Sequence, residues 1–563
     1  MYLRTTKRRN ADGTTVQYCQ LAENVWDRSR GCAVARVVYN FGRADQLDRE
    51  ALRRLAHSIL RLFSAEDVRV ADPDVRVLEA WPYGGLYVLD QLWHELGIAR
   101  VLTEQLDRHG VRQPFERALF AMVANRALSP YSKLYCHAQW LPAEVYFPER
   151  AGLQLHHLYG AMDFLEAHTA AIEQAVYFQM ADLLNADVDL IFFDTTTLHF
   201  EVDDEDAGAT RGSRAAGGRA YPALRQRGKS KNGRGDAPQI VVGLAVTRDG
   251  LPVRSWVFPG ATTDVTTVER VKGDLKGWRL GRCVFVADAG MNSEANRRTL
   301  ALGGGSYLLA SRMRAGDEVS TTVLTRAGRY QTLAGNLRVK EVVVGDGARQ
   351  RRYVVCYNPD EAERQRRHRA QGLEELAAEL ATLQAPAPGQ GHSKRTCALL
   401  TTDRYRRYLR QTPTGALRID RAAVAAEAKL DGKWVVTSND DTLTAVDMAL
   451  GYKQLMRVEE CWRAMKSGLR TRPVFHWRPH RICAHVRLCV LALLLERVAE
   501  IRAGDTWRNL LARLDTIKVV AYERVGARIE QTTEVHGQVQ SLLQALKVPA
   551  PPKLHEVHPT LRA

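Results

Sequence analysis

The stretch Val188-Asp189-Leu190-Ile191-Phe192-Phe193-Asp194-Thr195-Thr196-Thr197 constrains this chain most. Large apolar side chains from Leu190 to Phe193 run straight into a carboxylate and three threonines. Continuous rather than alternating apolar character predicts a strand covered on both faces. Asp194 is then expected where that strand leaves the core, on a rigid element that can present it to a hard cation. An isolated aspartate before threonines also suits a turn cap. The acids and strands further along the chain favour the first reading.

Gln239 to Val246 predicts a second strand, which Asp249-Gly250 turns into a third, Leu251 to Phe258. Thr262-Thr263-Asp264 reads as an N-cap opening a helix toward Trp278. Cys283 to Ala287 predicts a fourth buried strand ending at Asp288, and after it come a helix (Ser293 to Leu302) and a strand (Tyr307 to Ala310). Three strands, helix, strand, helix, strand is the layout of an α/β, ribonuclease-H-like core, a mixed sheet flanked by helices. In that layout the first and fourth strands are neighbours, so Asp194 and Asp288 are expected side by side.

On the N-terminal flank, residues 1–75 are expected to form a β-hairpin and helix region able to bind DNA, with short strands alternating with turns to about residue 45 and a hairpin signal at Asn10-Ala11-Asp12-Gly13 beside Arg4, Lys7, Arg8 and Arg9. Residues 76–185 turn helical and carry no diagnostic helix-turn-helix spacing, which suggests a DNA-end-binding or scaffold region. The core occupies 186–311 and resumes at 441–500. Between them, 312–440 predicts a β-rich insertion with a charged helix from Asp360 (Arg364, Arg366, Arg367, Arg369) and a linker at Ala385-Pro386-Ala387-Pro388-Gly389. Residues 501–563 are expected to be helical, with a tail after Pro549.

Charge narrows the function. The formal net charge of +16 points to a polyanionic partner such as DNA or RNA, and 45% hydrophobic residues make the chain globular. Nine cysteines without a C-x-x-C pair argue against a disulfide framework or a zinc knuckle. The start lacks an apolar signal region, and the longest apolar run, Leu488 to Leu495, is far short of the ~20 residues a spanning helix needs. A soluble cytoplasmic protein without a membrane partner is expected.

Tyr452 to Lys466 has good helix formers, no Gly or Pro, and Gly468 just beyond. Tyr452, Glu459 and Lys466 recur every seven residues, so one continuous helix would put all three on one face. Glu460 is the rival acid, about 100° around that helix from Glu459. Asp194, Asp288 and Glu459 together suit metal-dependent phosphoryl transfer, in which carboxylates hold Mg²⁺ ions that serve the attacking and leaving oxygens.

Phe193-Asp194-Thr195-Thr196, Val286-Ala287-Asp288-Ala289-Gly290-Met291 and Tyr452 through Lys466 resemble the DDE transposases of bacterial insertion sequences, of the cut-and-paste type with a Tyr-Arg-Glu-Lys signature. Gly228-Lys229-Ser230-Lys231, Asp236-Ala237-Pro238-Gln239 and Gly250-Leu251-Pro252 resemble that family's connecting segments. The resemblance implies that Asp194, Asp288 and Glu459 are catalytic and bind Mg²⁺, with Mn²⁺ able to substitute. It implies DNA contacts from Tyr452, Lys466, Lys229 and Lys231. The signature's Arg is Leu455 here; Arg457 and Arg463 are the nearby cations, and Arg463 is the better placed. An insertion-domain Trp packs on a flipped base in relatives; Trp434 is the counterpart, or plain core. The implied partners are terminal inverted repeats and target DNA, with a homodimer synapsing two ends in a bacterial, nucleoid-associated setting.

Rival functions are a nuclease of the same fold without strand transfer, an inactivated transposase kept for DNA binding, and a glycosidase with paired carboxylates. The intact acids disfavour the second and the basic charge the third. Gly228-Lys229-Ser230 lacks the spacing of a phosphate loop. His476, His480 and His485 fit no standard metal site and are expected at the surface or facing DNA. Asp203 to Asp206 is expected to be a solvated loop.

Overall fold

Leu190, Ile191, Phe192 and Phe193 are buried inside a nine-stranded mixed sheet, as a continuous apolar run requires. The computed structural model of the protein describes all residues except 10–14, 49–51, 53–74, 185–188, 214–215, 232, 277, 279–282, 315–317, 334, 348–349, 384–392, 525–526 and 560–563. The predicted hairpin turn at residues 10–13 and the linker at 385–389 lie outside the described residues. The chain divides into two units, Met1–Glu79 with Ala521–Glu530 and His555–Ala563, and Ala80–Val520 with Gln531–Leu554.

The first unit contains an antiparallel meander of Tyr2–Arg9, Thr15–Asp27 and Cys32–Arg43. Lys7, Arg8 and Arg9 are exposed along its first strand.

In the second unit the sheet comprises β1 (Leu190–His199), β2 (Gln239–Val246), β3 (Pro252–Pro259), β4 (Val284–Ala287), β5 (Ser306–Ser311), β6 (Gln331–Thr332), β7 (Arg338–Val344), β8 (Arg351–Tyr357) and β9 (Lys433–Ser438). Their order across the sheet is β6-β7-β8-β9-β5-β4-β1-β2-β3. β1, β2 and β3 are mutually antiparallel, whereas β4 runs parallel to both β1 and β5. The strands expected of an insertion are not a separate sheet: β9 pairs antiparallel with β5, and β8 and β7 continue outward from it.

The helices that matter for the site are α1 (Phe115–Leu128), α2 (Leu155–Ala167), α3 (Asp264–Leu275), α4 (Glu294–Ala301), α5 (Pro359–Ala381), α6 (Ala445–Lys453), α7 (Met456–Arg463) and α8 (Pro479–Ala503). α8 is buried nearly all round, packed on α1, α2 and β3, which explains its lack of a polar face. Two of its arginines meet acids of α2, Arg481 with Asp163 at 2.9 Å and Arg487 with Glu166 at 3.4 Å, which offsets the cost of burying them. Among the described residues no helix is long and apolar enough to cross a membrane.

Several expectations need correction. Asp194 does not end its strand. Thr195, Thr196 and Thr197 are β-branched, pair with Gly243, Val242 and Val241, and carry the ladder on to His199. His480 and His485 are core residues, not surface ones: His480 lies against Asp163 (3.4 Å) and His485 between the Thr471 carbonyl and the Lys133 amine. Asp206 is not solvated, since it accepts the Leu224 and Arg225 amides and pairs with the Arg225 guanidinium. Val75–Pro82, Lys518–Arg524, Ala527–Thr532 and Leu554–Pro559 are strands in regions expected to be helical or tail, because in stretches such as Lys518-Val519-Val520-Ala521-Tyr522 β-branched and aromatic residues outweigh helical periodicity.

The segment before β2 is pressed onto the sheet where β2 and β3 meet. Gln226 and Gln239 exchange backbone hydrogen bonds, and the Gly260 amide donates to the Leu224 carbonyl at 2.9 Å. A Cβ at Gly260 would stand 2.1 Å from two backbone oxygens, those of Gln226 and Gln239. Gly260→Ala should therefore cost about 1–3 kcal/mol of stability, as overpacking against backbone does, measured by urea unfolding.

Candidate active site

The parallel register of β1 and β4 places the two predicted aspartates together. Leu190, Ile191 and Phe192 pair with Val284, Phe285 and Val286, and continuing that register by two positions sets Asp194 opposite Asp288. The Asp288 carboxylate accepts the Gly290 amide at 2.9 Å, which fixes it at the strand exit. Asp194 lies within the strand, largely buried and bonded on both sides. Its Oδ2 accepts the Trp462 indole N–H at 3.2 Å, and its Oδ1 faces the Lys231 ammonium at 3.7 Å. Burial pushes the Asp194 carboxyl up to about 6; Lys231 and the Thr195 backbone oppose this, and the charges of Asp288 and Asp264 add to it.

A further acid, Asp264, reads from sequence only as part of a helix start. Thr263 is indeed the N-cap of α3, although its side chain makes no cap hydrogen bond. The Asp264 carboxylate instead accepts the Thr195 hydroxyl and pairs with Lys231 at 3.0 Å. A Cβ on Gly290 would stand 3.1 Å from Asp288 Oδ1 and 3.6 Å from Asp264 Oδ2. Both carboxylates thus border one small space that only a glycine leaves open.

The predicted helix from Tyr452 to Lys466 is interrupted twice. After α6 the chain tightens into i→i+3 hydrogen bonds, Leu455 N–H to the Tyr452 carbonyl at 2.9 Å and Arg457 N–H to the Gln454 carbonyl at 2.9 Å, before α7 begins. From Ala464 to Gly468 it widens into a π turn. The seven-residue spacing on one uniform helix face therefore does not hold. Burial raises the Tyr452 phenol in pKa, and the charges of Asp288, Glu459 and Asp194 add to the shift. The Lys466 ammonium is lowered by burial and by Arg472, while Asp194 opposes that shift.

Glu459 is exposed, and Glu460 turns to Arg457 at 3.0 Å. Among the described residues no three His, Cys, Asp or Glu side chains close around a common ion. The acids face one region without forming a finished cage. The donor set nevertheless fits a hard divalent cation: Asp194, Asp264 and Asp288 are carboxylates gathered at one end of the sheet, with an ammonium already among them.

Leu455 is buried, so the position where the signature has Arg turns into the core and could not present a guanidinium to DNA. Arg463 and Lys229 are exposed, and so is Arg457 beside Glu460. Trp434 lies on β9 opposite Cys356, half-buried, with its indole nitrogen buried and without a hydrogen-bond partner among the described residues. Asp264, Trp462 and Arg472 carry no signal in the sequence that would have found them. Only proximity in the fold marks them out.

The family model for the transposase DDE domain matches residues 194–495, more than half of the chain. The chain belongs to the DDE transposases. The model for the N-terminal domain of IS1634 family transposases matches residues 3–71 of this transposase. No curated protein matches it. Of solved structures, the cryo-EM structure of the piggyBac transposase synaptic complex with hairpin DNA aligns over 71% of this chain and 70% of that one, at 9% identity and a TM-score of 0.34.

The raised pKa of Asp194 gives a signed expectation for the metal-free transposase. A folded-state pKa above the unfolded one contributes stability below about pH 4 and loses it as pH rises through about 6. In EDTA, Asp194→Asn should gain on the wild type by roughly 2–3 kcal/mol between pH 4 and pH 7, read from urea unfolding of both proteins. An equal stability difference at both pH values would remove the charge argument.

Proposed function

We propose that this transposase cleaves DNA at the ends of its element and joins the freed 3′ hydroxyl to target DNA, with Asp194, Asp288 and Glu459 as the catalytic acids. The observation that carries the reading is the side-by-side position of Asp194 and Asp288 on β1 and β4, with Tyr452 sensing both and Glu459 as well. The order β3-β2-β1-β4-β5, three antiparallel strands and then two parallel ones, supports a ribonuclease-H-like core. Mg²⁺ or Mn²⁺, when held by Asp194, Asp288 and Glu459, supplies activation of the attacking oxygen and stabilisation of the leaving oxygen.

The chain's own residues do the rest. β1 and β4 are locked into the sheet, so two of the acids are held in place before DNA arrives. Trp462 holds one oxygen of Asp194, which leaves the other to face the reacting centre. Lys466, whose ammonium feels the Asp194 charge, and Arg472, whose charge reaches Lys466, supply positive charge for the scissile phosphate, and the Tyr452 phenol stays neutral and donates a hydrogen bond. Exposed Arg457, Arg463 and Lys229 contribute to backbone contact, and the net charge of +16 favours it generally. Trp434 is assigned a base contact near the element end. Water and then the 3′ hydroxyl are the nucleophiles, so no protein–DNA covalent bond forms. Two ends must meet, and a homodimer is the simplest assembly that brings them together.

The test uses a donor plasmid carrying the inverted repeats that flank the gene, with a second plasmid as target. Wild-type protein with Mg²⁺ should yield both excised element and joined product. Asp194→Asn, Asp288→Asn and Glu459→Gln should each lower cleavage by about 10³-fold or more, as for catalytic groups that act as a unit, with end binding retained in gel-shift assays. Full activity in any of the three would refute the assignment, and cutting without joined product would mark a nuclease. Lys466→Ala should weaken end binding and reduce its salt slope by about 1.

A further inference from the structure

Lys231 occupies the place a free cation would take. Its ammonium donates to the Thr195 carbonyl at 2.8 Å and the Thr195 hydroxyl at 2.8 Å, and it lies 3.0 Å from Asp264 Oδ2 and 3.7 Å from Asp194 Oδ1. All four oxygens are hard donors of the kind Mg²⁺ prefers. The backbone fixes the approach as well, since the Lys231 amide donates to Thr197 Oγ1 at 3.0 Å. Asp264 is the tether. It binds Lys231 on one side and Thr195 on another, and it borders the same glycine gap as Asp288.

We propose that Lys231 is the resident counter-ion of the acidic centre, held there by Asp264, and that a divalent cation taken up by Asp194 and Asp288 displaces it toward a DNA phosphate. The inference rests on the reading of Asp194 as a metal ligand. Without a cation, Asp194, Asp264 and Asp288 would repel one another in a partly buried setting, where charges interact strongly. One ammonium between two of them relieves that repulsion. A divalent ion bound at Asp194 would then share a carboxylate with an ammonium, two positive charges a few ångströms apart, so metal and lysine compete. DNA shifts the competition, because a phosphate gives the displaced ammonium a new partner. Metal and DNA then strengthen each other's binding, as any such linkage must be reciprocal.

The experiment uses the full-length protein and Mn²⁺, monitored by electron paramagnetic resonance, together with thermal unfolding in EDTA. Lys231→Met should bind Mn²⁺ about tenfold more tightly or better, while its metal-free melting temperature falls. A lysine with a merely structural role would lower stability without tightening metal binding. Lys231→Arg keeps the charge and should keep the wild-type Mn²⁺ affinity. In the wild type, an oligonucleotide carrying the element end should tighten Mn²⁺ binding, and in Lys231→Met it should do so much less. Unchanged or weaker Mn²⁺ binding by Lys231→Met, or no effect of DNA on the wild type, overturns the proposal. Asp194→Asn separates the two levels: if it binds Mn²⁺ like the wild type, the metal-ligand reading of Asp194 has failed instead.

Discussion

The parallel pairing of β1 with β4 is the constraint on which the site depends. Three residues from each strand, all buried and apolar, set a register that leaves no freedom to the carboxylates two positions further on. A slip of one residue would turn Asp194 to the opposite face of the sheet. The bulk of Ile191, Phe192, Phe193 and Phe285 is therefore part of the chemistry, since it is what fixes the slip at zero. Gly243 serves the same end from the neighbouring strand: a Cβ there would stand 2.9 Å from the Phe193 ring.

Crowding sets the electrostatics. Three aspartates, Asp194, Asp264 and Asp288, gather at one end of the sheet, and the protein answers with Lys231, the Trp462 indole and the Thr195 hydroxyl, each on a named oxygen. The Lys466 ammonium feels both the Asp194 carboxylate and the Arg472 guanidinium. The balance lets carboxylates sit close together with positive charge beside them.

Much of the core is legible in the residues because short apolar runs bounded by turns carry their own signal. The strands around Phe193, Val242, Val286 and Leu308 come from such runs, and Asp249-Gly250 marks its hairpin without help from the rest of the chain. The features that sequence does not reveal depend on partners distant along the chain. Asp264 opens a helix by every local criterion, and only the fold sets it against Lys231 and Asp288. His480 and His485 look like surface residues until Asp163 and Lys133 arrive from other helices. The tight turn at Gln454 and Leu455 has no Gly or Pro to announce it; burial of Leu455 accompanies it. Threonines after Asp194 read as a turn, yet their pairing with β2 makes them strand.

The manner in which the intervening segment joins the sheet has a mechanical consequence. Because β9 zips along β5, and β5 along β4, the strands β7, β8 and β9 form no separate sheet hung on a loop. They are an extension of the same rigid plate. Excising them would strip β5 of its outer neighbour and expose a raw hydrogen-bonding edge one strand away from Asp288. A push on the outlying strands β7 and β8 would likewise reach the carboxylates through backbone rather than through a hinge.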